Sequence, residues 1–305
     1  MLSGLIKTLR PHQWVKNAFV LAPIVFAKDV VVSTPVGKAL NLALTGRALA
    51  AMTVFCLFAG AVYTINDLAD VEADRVHPVK RNRPIASGEV PEGMAWLMAI
   101  LLVVISAGFG ILLDWRFGLV AIFYFVQNLA YSFKLKKIAY LDVGLIALGF
   151  VLRVLAGGFA TGTHVSYYML ACTALLALFF GFGKRRNELS GENAGKQRAA
   201  LDAYSPNVLN IALALTGGAT VVVYVAYTLD SATQAFFQTQ YLWLTAPFVV
   251  FGILRFLYLV SGRGGRGLRS ESPTQEVLSD VPSVLNVFMW VLFVFVIIYR
   301  LRPAP

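Results

Sequence analysis

Charge is scarce in this chain. Only 14% of its 305 residues are charged, against 58% hydrophobic. A soluble domain carries about a quarter charged residues, because its surface must be hydrated. Such scarcity excludes an ordinary water-exposed surface. Lipid removes the need for one, since it solvates apolar side chains while each helix pairs its own backbone groups. Cysteine is rare too. Cys56 and Cys172 both sit inside apolar runs, which argues for small core residues and against a disulfide framework. Histidine is limited to His12, His77 and His164, and no Cys/His spacing suited to zinc results. Polar stretches able to form a soluble nucleic-acid-reading domain are missing, so the net charge of +10 needs another explanation. A cleaved leader is not expected. The apolar run Phe19–Ala27 is interrupted by Pro23 and followed by Lys28-Asp29 instead of small residues.

What is present is apolar length. A membrane-crossing helix needs about 20 mainly apolar residues. Nine stretches qualify, near 15–32, 45–66, 93–113, 116–133, 138–161, 165–183, 207–230, 240–261 and 282–300. Only Asp114-Trp115 separates the third from the fourth, which predicts a tight helical hairpin. The expected fold is therefore an all-α integral membrane protein, with 1–305 forming one membrane-embedded domain. Basic residues set its orientation. With the N-terminus cytoplasmic, the inside segments hold Lys and Arg at 7–16, 75–83, 134–137, 184–198 and 263–269. The outside segments hold only Lys28, Lys38, Arg47, Arg116, Arg300 and Arg302. The positive charge then marks a cytoplasmic face that also attracts anionic lipid.

The second span runs into Asn66-Asp67-Leu68-Ala69-Asp70-Val71-Glu72-Ala73-Asp74. If the helix continues, Asn66, Asp70 and Asp74 drift by only about 40° per step and share one face. Like charges at that spacing repel. A divalent cation would offset the repulsion, and Mg²⁺ suits one or two carboxylates completed by water and phosphate oxygens. Lys80, Arg81, Arg83-Pro84 and Ser87-Gly88 follow, offering cations to a diphosphate. A solvated helix end at the membrane surface is the plainer alternative. Arg153 lies about mid-span, where an arginine costs roughly 2.5–3.5 kcal/mol on insertion scales. It needs a polar cavity or a partner, for which Asp142 is one candidate. Arg255 is expected to snorkel to the surface.

The stretch Asn66–Asp74, with Lys80, Arg83-Pro84 and Ser87-Gly88, resembles the first aspartate-rich motif of the UbiA superfamily of intramembrane prenyltransferases, N-D-x-x-D-x-x-x-D. The resemblance implies a nine-helix bundle in which Asn66, Asp70 and Asp74 hold Mg²⁺ and a substrate diphosphate. Asp67 would lie nearby, and Lys80 and Arg83 would contact phosphate. A second aspartate motif usually follows the sixth helix in that superfamily. Here the loop reads Gly183-Lys184-Arg185-Arg186-Asn187-Glu188, then Glu192, Lys196, Arg198 and Asp202-Ala203-Tyr204, with no clean D-x-x-x-D. A second phosphate-bearing ligand suits so basic a loop better than a second metal does.

Three further segments resemble the phosphoribosyl-transferring branch of the superfamily: Arg10-Pro11-His12-Gln13-Trp14-Val15-Lys16-Asn17, Tyr131-Ser132-Phe133-Lys134-Leu135-Lys136 ahead of Leu141-Asp142-Val143, and Gly149-Phe150-Val151-Leu152-Arg153 with Ala156-Gly157-Gly158. That resemblance implies transfer of 5-phosphoribosyl from phosphoribosyl diphosphate to a polyprenyl phosphate in the supply of cell-wall arabinan precursors. Asp70, Asp74, Tyr131 and Lys134 are the expected catalytic residues. Substrate contacts are expected from Arg10, Lys16, Asn17, Asp67, Lys80, Arg83, Asn128, Arg153, Lys184 and Arg185. Glu188 and Asp202 would take ribose hydroxyls or a second cation. The lipid tail needs an apolar groove, which Gly144, Gly149, Gly157 and Gly158 could open, or they could simply let helices approach. An aromatic prenyltransferase using a polyprenyl diphosphate is the first rival, and a non-catalytic lipid-phosphate transporter the second. The expected setting is the plasma membrane with the site on its cytoplasmic side. No nucleic acid is expected as partner, and a homo-oligomer stays open.

Overall fold

In the computed structural model, which describes residues 1–27, 30–34, 37–190, 201–261 and 273–300, nearly every apolar stretch is helical. The chain opens with α1 (Leu2–Thr8), an eleven-residue 3-10 helix Pro11–Leu21 and the single turn α2 (Ala22–Val25). Strands β1 (Val31–Thr34) and β2 (Gly37–Leu40) form an antiparallel hairpin with Val31 opposite Leu40. Helix α3 (Leu42–Ala69) is capped by Asn41, whose side-chain oxygen accepts from the Leu44 amide at 3.1 Å. Then come α4 (Val71–Val76), α5 (Glu92–Leu113), α6 (Trp115–Phe133), α7 (Leu141–Thr161) and α8 (Tyr167–Ser190). The chain continues through α9 (Pro206–Leu229), α10 (Ser231–Phe237), α11 (Ala246–Val260), α12 (Pro273–Ser279) and α13 (Val281–Arg300).

Among the described residues, seven helices are long and apolar enough to cross a membrane. They are α3, α5, α7, α8, α9, the run Leu242–Val260 that ends in α11, and α13. Two of the nine expected stretches read differently. Helix α6 has the length, but Arg116, Gln127, Asn128 and Ser132 dilute its apolar content. Over 15–32 there is no continuous α-helix. Pro11 starts a 3-10 run, Pro23 falls in the turn after it, and the hairpin begins at Val31.

Helix α5 shows how the apolar residues are used. Leu97, Ile100, Leu101, Val104, Ile105 and Phe109 are exposed at helical spacing, while Ala95, Ala99, Ser106 and Gly110 are buried. Large side chains face outward and small ones inward, the reverse of a soluble helix and the pattern lipid favours. The expected hairpin between α5 and α6 is present. Asp114 turns it by accepting from the amides of Arg116 at 2.8 Å and Phe117 at 3.1 Å. Gly118 lets the two helices meet there, since a Cβ on it would lie 2.7 Å from the Ile111 backbone nitrogen.

The chain divides into two compact units, residues 1–134 with 152–165, and residues 135–151 with 166–305. In the first, α3 lies along α5, α6 and the 3-10 helix. Phe55, Phe58 and Phe117 are fully buried there, and the Phe58 and Phe125 rings stack at 5.2 Å. In the second, α8 lies along α9, and α11 along α13. Phe179, Leu213, Ile253 and Phe256 form a core of this unit. Arg255 makes a bidentate pair with Asp280 at 3.0 and 2.7 Å, ahead of α13. Arg255 first, and then the hydroxyl and amide of Ser283, hold the Asp280 carboxyl down at about 2.

Candidate active site

The aspartate-rich stretch begins as helix and then bends. α3 stops at Ala69, and Asp70 sits between it and α4 with φ −98° and ψ 6°. Backbone bonds still bridge the bend, from the Asp70 amide to Asn66 at 3.0 Å and from the Asp74 amide to Asp70 at 2.8 Å. The bend matters for which carboxylates face inward. Asp67 and Asp74 are buried at 3% and 1% exposure. Asp70 is exposed, and its side chain makes no hydrogen bond or ion pair among the described residues.

Two arginines and a lysine meet the buried pair. Arg83 Nη1 donates to Asp67 Oδ1 at 3.1 Å and to Asp74 Oδ2 at 2.6 Å. Arg10 Nη2 donates to the same Asp67 oxygen at 2.6 Å, and Lys80 Nζ lies 3.8 Å from Asp74 Oδ1. The local sequence explains how Arg83 returns to the helix. Pro84 favours extended backbone in the residue before it, and Arg83 has ψ 143°. Gly88 at φ 81° closes the following turn, and the Val90 amide bonds back to Pro84 at 2.9 Å. Ile85 and Val90 then bury against Leu68 and Val71. Arg10 adopts a left-handed φ of 51°, costly for a residue with a Cβ. Its guanidinium rests 5.0 Å from the Tyr63 ring centroid while it grips Asp67. A strained residue held by a buried ion pair is a mark of a functional position.

The remaining expected residues fall into three groups. Asn66 donates to the Ser132 hydroxyl at 3.0 Å, which ties the motif to the end of α6 next to Tyr131 and Lys134. Tyr131 is half-buried there and Lys134 exposed. Asn17 and Arg153 are brought together in the core of the first unit. Arg153 Nε donates to Asn17 at 3.0 Å and its Nη2 to the Tyr124 hydroxyl at 2.5 Å. Asn17 also donates to Cys56 Sγ at 3.3 Å. Asp142 is thus not the partner of Arg153. Lys16 bonds to Gln13 at 2.8 Å, and Asn128 bonds within its own helix to the Tyr124 carbonyl at 2.8 Å.

The third group lies in the second unit. Arg185 was expected at a ligand, yet it is 1% exposed and donates through Nε to Asp142 at 2.8 Å. It also bonds Glu188, whose other oxygen lies 3.8 Å from Lys184. The Asp202 side chain and residues 191–200 lie outside the described residues. Tyr204 is a residue that sequence reasoning passed over. Its hydroxyl donates to Asp142 at 2.5 Å, and burial first, then that carboxylate, raises its pKa above the ordinary phenol value. The sole sequence signal was its place after Asp202-Ala203.

Among the described residues no three His, Cys, Asp or Glu side chains converge as a metal cage. Mg²⁺ does not require one, since one or two carboxylates suffice when phosphate oxygens and water complete its shell. Asp70 with Asp74 and the Asn66 amide oxygen match that chemistry in kind.

The motif, the membrane helices and the clustered cations together define an intramembrane transferase fold, and the chain belongs to the UbiA prenyltransferase family, whose profile matches residues 20–263. Among its relatives, a decaprenyl-phosphate phosphoribosyltransferase of Corynebacterium glutamicum is 34% identical, covering 98% of this chain and 88% of the relative. One from Mycolicibacterium smegmatis is 36% identical, covering 95% and 91%. The fold matches a UbiA homolog from Archaeoglobus fulgidus bound to GPP and Mg²⁺, with TM-score 0.68 and 19% identity over 97% of this chain and 99% of that one.

Proposed function

We propose that this chain moves a 5-phosphoribosyl group from phosphoribosyl diphosphate to a polyprenyl phosphate, releasing diphosphate. The observation that carries the reading is the cluster of Arg10, Lys80 and Arg83 on buried Asp67 and Asp74, beside exposed Asp70. Such a cluster offers cations to a diphosphate and oxygen donors to a hard metal. The near full-length likeness to enzymes named decaprenyl-phosphate phosphoribosyltransferase supports the transferred group and makes a decaprenyl chain the expected acceptor.

Asn66, Asp70 and Asp74 would hold Mg²⁺, which when bound neutralises charge on the departing diphosphate. Arg10, Lys80 and Arg83 bind the same phosphates, so that the charge left after bond cleavage is met by fixed cations. The bond from ribose C1 to the diphosphate oxygen breaks, leaving C1 oxocarbenium-like. An oxygen of the lipid phosphate forms the new bond to C1 from the opposite face, inverting that centre. A phosphate monoester with a second pKa of about 6 is mostly ionised near neutrality, so no strong general base is required. Tyr131, Lys134 and Lys184 contact the donor, Asp202 a ribose hydroxyl or cation, and Lys16, Asn17, Asn128 and Arg153 anionic groups of either substrate. The whole chain acts as one catalytic domain.

We place the reaction at the cytoplasmic side of the plasma membrane, with nine spans and the N-terminus inside. Pro11–Val25 extends about 28 Å at roughly 2.0 Å per 3-10 residue and 1.5 Å per α residue, close to the ~30 Å hydrocarbon core. The product would enter cell-wall arabinan synthesis.

Purified protein with Mg²⁺ tests this. Phosphoribosyl diphosphate with a polyprenyl phosphate should release diphosphate and yield a phosphoribosylated lipid. A polyprenyl diphosphate with an aromatic acid should give nothing. A prenylated aromatic product with no phosphoribosylated lipid would overturn the reading.

A further inference from the structure

The acidic and basic halves of the site are joined by residues 76–79, and all of them are exposed. Val76 and Val79 are 85% and 71% exposed, so burial does not fix this stretch. Local hydrogen bonds must fix it, and they centre on His77. It ends α4 with φ −80° and ψ 132°, the extended backbone expected before a proline. Its own amide donates to the Asp74 carbonyl at 3.2 Å. Its ring Nδ1 accepts from the amides of Val79 and Lys80, each at 3.2 Å. Its carbonyl accepts from the Arg81 amide, also at 3.2 Å. Pro78 has no N–H to place. The amides of Asn82 and Arg83 donate onward to the carbonyls of Val79 and Lys80 at 3.3 and 2.9 Å. Every amide from His77 to Arg83 is thus partnered, and His77 begins the series.

This is the geometry of a helix N-cap. A capping residue keeps extended backbone while its side chain accepts from the amides two or three residues on, donors that a helical turn leaves without partners. Here those amides belong to Val79 and Lys80, at the entry to the 3-10 turn Lys80–Asn82. An imidazole can take the place of the usual Asn, Asp, Ser or Thr only with Nδ1 unprotonated, so its ring proton sits on Nε2. Nε2 has no hydrogen bond among the described residues. The turn carries cations of the site. Lys80 Nζ ends 3.8 Å from Asp74, and Arg83 Nη1 ends 2.6 Å from the same carboxyl group.

We propose that His77 is a positioning residue, whose Nδ1 caps the turn that delivers Lys80 and Arg83 to the diphosphate of the donor. It touches neither substrate nor metal itself. This rests on the reading above that those two cations bind the donor's phosphates.

The test measures binding of inorganic diphosphate with Mg²⁺ by isothermal titration calorimetry, in wild type, His77→Ala, His77→Asn and His77→Gln, next to steady-state kinetics. Asn offers an acceptor oxygen in the place of Nδ1, on a side chain that caps well. Gln carries its amide one carbon farther out, toward the place of Nε2. His77→Ala should weaken diphosphate binding by about 3- to 30-fold, the loss expected of a missing cap, and raise KM for phosphoribosyl diphosphate in step. Its KM for the polyprenyl phosphate and its melting temperature should stay at the wild-type values. His77→Asn should bind within about 2-fold of wild type, and His77→Gln should resemble His77→Ala. Wild-type binding in His77→Ala, or no recovery in His77→Asn, overturns the inference. Recovery by Gln shows that the Nδ1 position does not matter, and overturns it too. A wild type that binds diphosphate yet makes no phosphoribosylated lipid overturns the functional reading and leaves the capping role standing, whereas a wild type that binds no diphosphate overturns both.

Discussion

At the scale of single residues, burial separates carboxylates that look alike in the chain. Asp70 is exposed, whereas Asp67 and Asp74 are buried against Arg10 and Arg83. Removing a buried partner leaves a charge uncompensated, while removing an exposed carboxylate does not. Asp70→Ala should therefore cut turnover by roughly 100- to 1,000-fold or more with an unchanged thermal melting curve. Asp74→Ala should cut it as deeply but also lose about 1–2 kcal/mol of stability. Near wild-type turnover in either variant would remove that residue from the metal site. The same logic revises the expectation for the basic loop. Reversing Arg185 to Glu would bury two carboxylates together, so Lys184, at 29% exposure, is the residue whose reversal reports on donor binding.

Helix contacts set the tolerance of the elements. Gly157 of α7 faces the 3-10 helix so closely that a Cβ would stand 2.0 Å from the Val20 carbonyl oxygen. That is backbone against backbone, so no rotamer change relieves it. Gly144 on the same helix has open space around its Cα. Gly157→Ala should destabilise by about 1–3 kcal/mol or more, seen as a lower melting temperature in detergent, whereas Gly144→Ala should leave melting unchanged. Of the glycines suspected of opening a lipid groove, Gly157 thus serves close helix approach. The hairpin of α5 and α6 was legible in advance, because Asp114 between two apolar runs is a local signal. The irregular start of the chain was not, since hydropathy is blind to the difference between α and 3-10 turns.

For the molecule as a whole, orientation follows from where its cations lie. The segments 67–92 and 184–206, each a helix end with the chain that follows it, should both face the cytoplasm. Single cysteines placed there, in a chain freed of Cys56 and Cys172, should react with an impermeant maleimide from the cytoplasmic side of sealed vesicles. Labelling of both segments only from the opposite side would remove the access route for a soluble donor and reverse the topology.

Membrane residence, helix spacing and the acidic turn with its basic sequel were settled by the sequence alone, because each depends on neighbours within a few residues. Hydropathy needs a window of one helix. The shared face of Asn66, Asp70 and Asp74 needed the helix to continue, and the bend at Asp70 instead leaves Asp70 exposed while Asp74 is buried with Asp67. Which cation meets which carboxylate was decided by tertiary structure. Arg10 reaches Asp67 across 57 residues, Arg185 reaches Asp142 across 43, and Arg153 turns to Asn17 across 136. Those choices arise from how helices approach in space, and each of these charges takes the partner that the fold brings within hydrogen-bond reach. No periodicity along the chain records that distance.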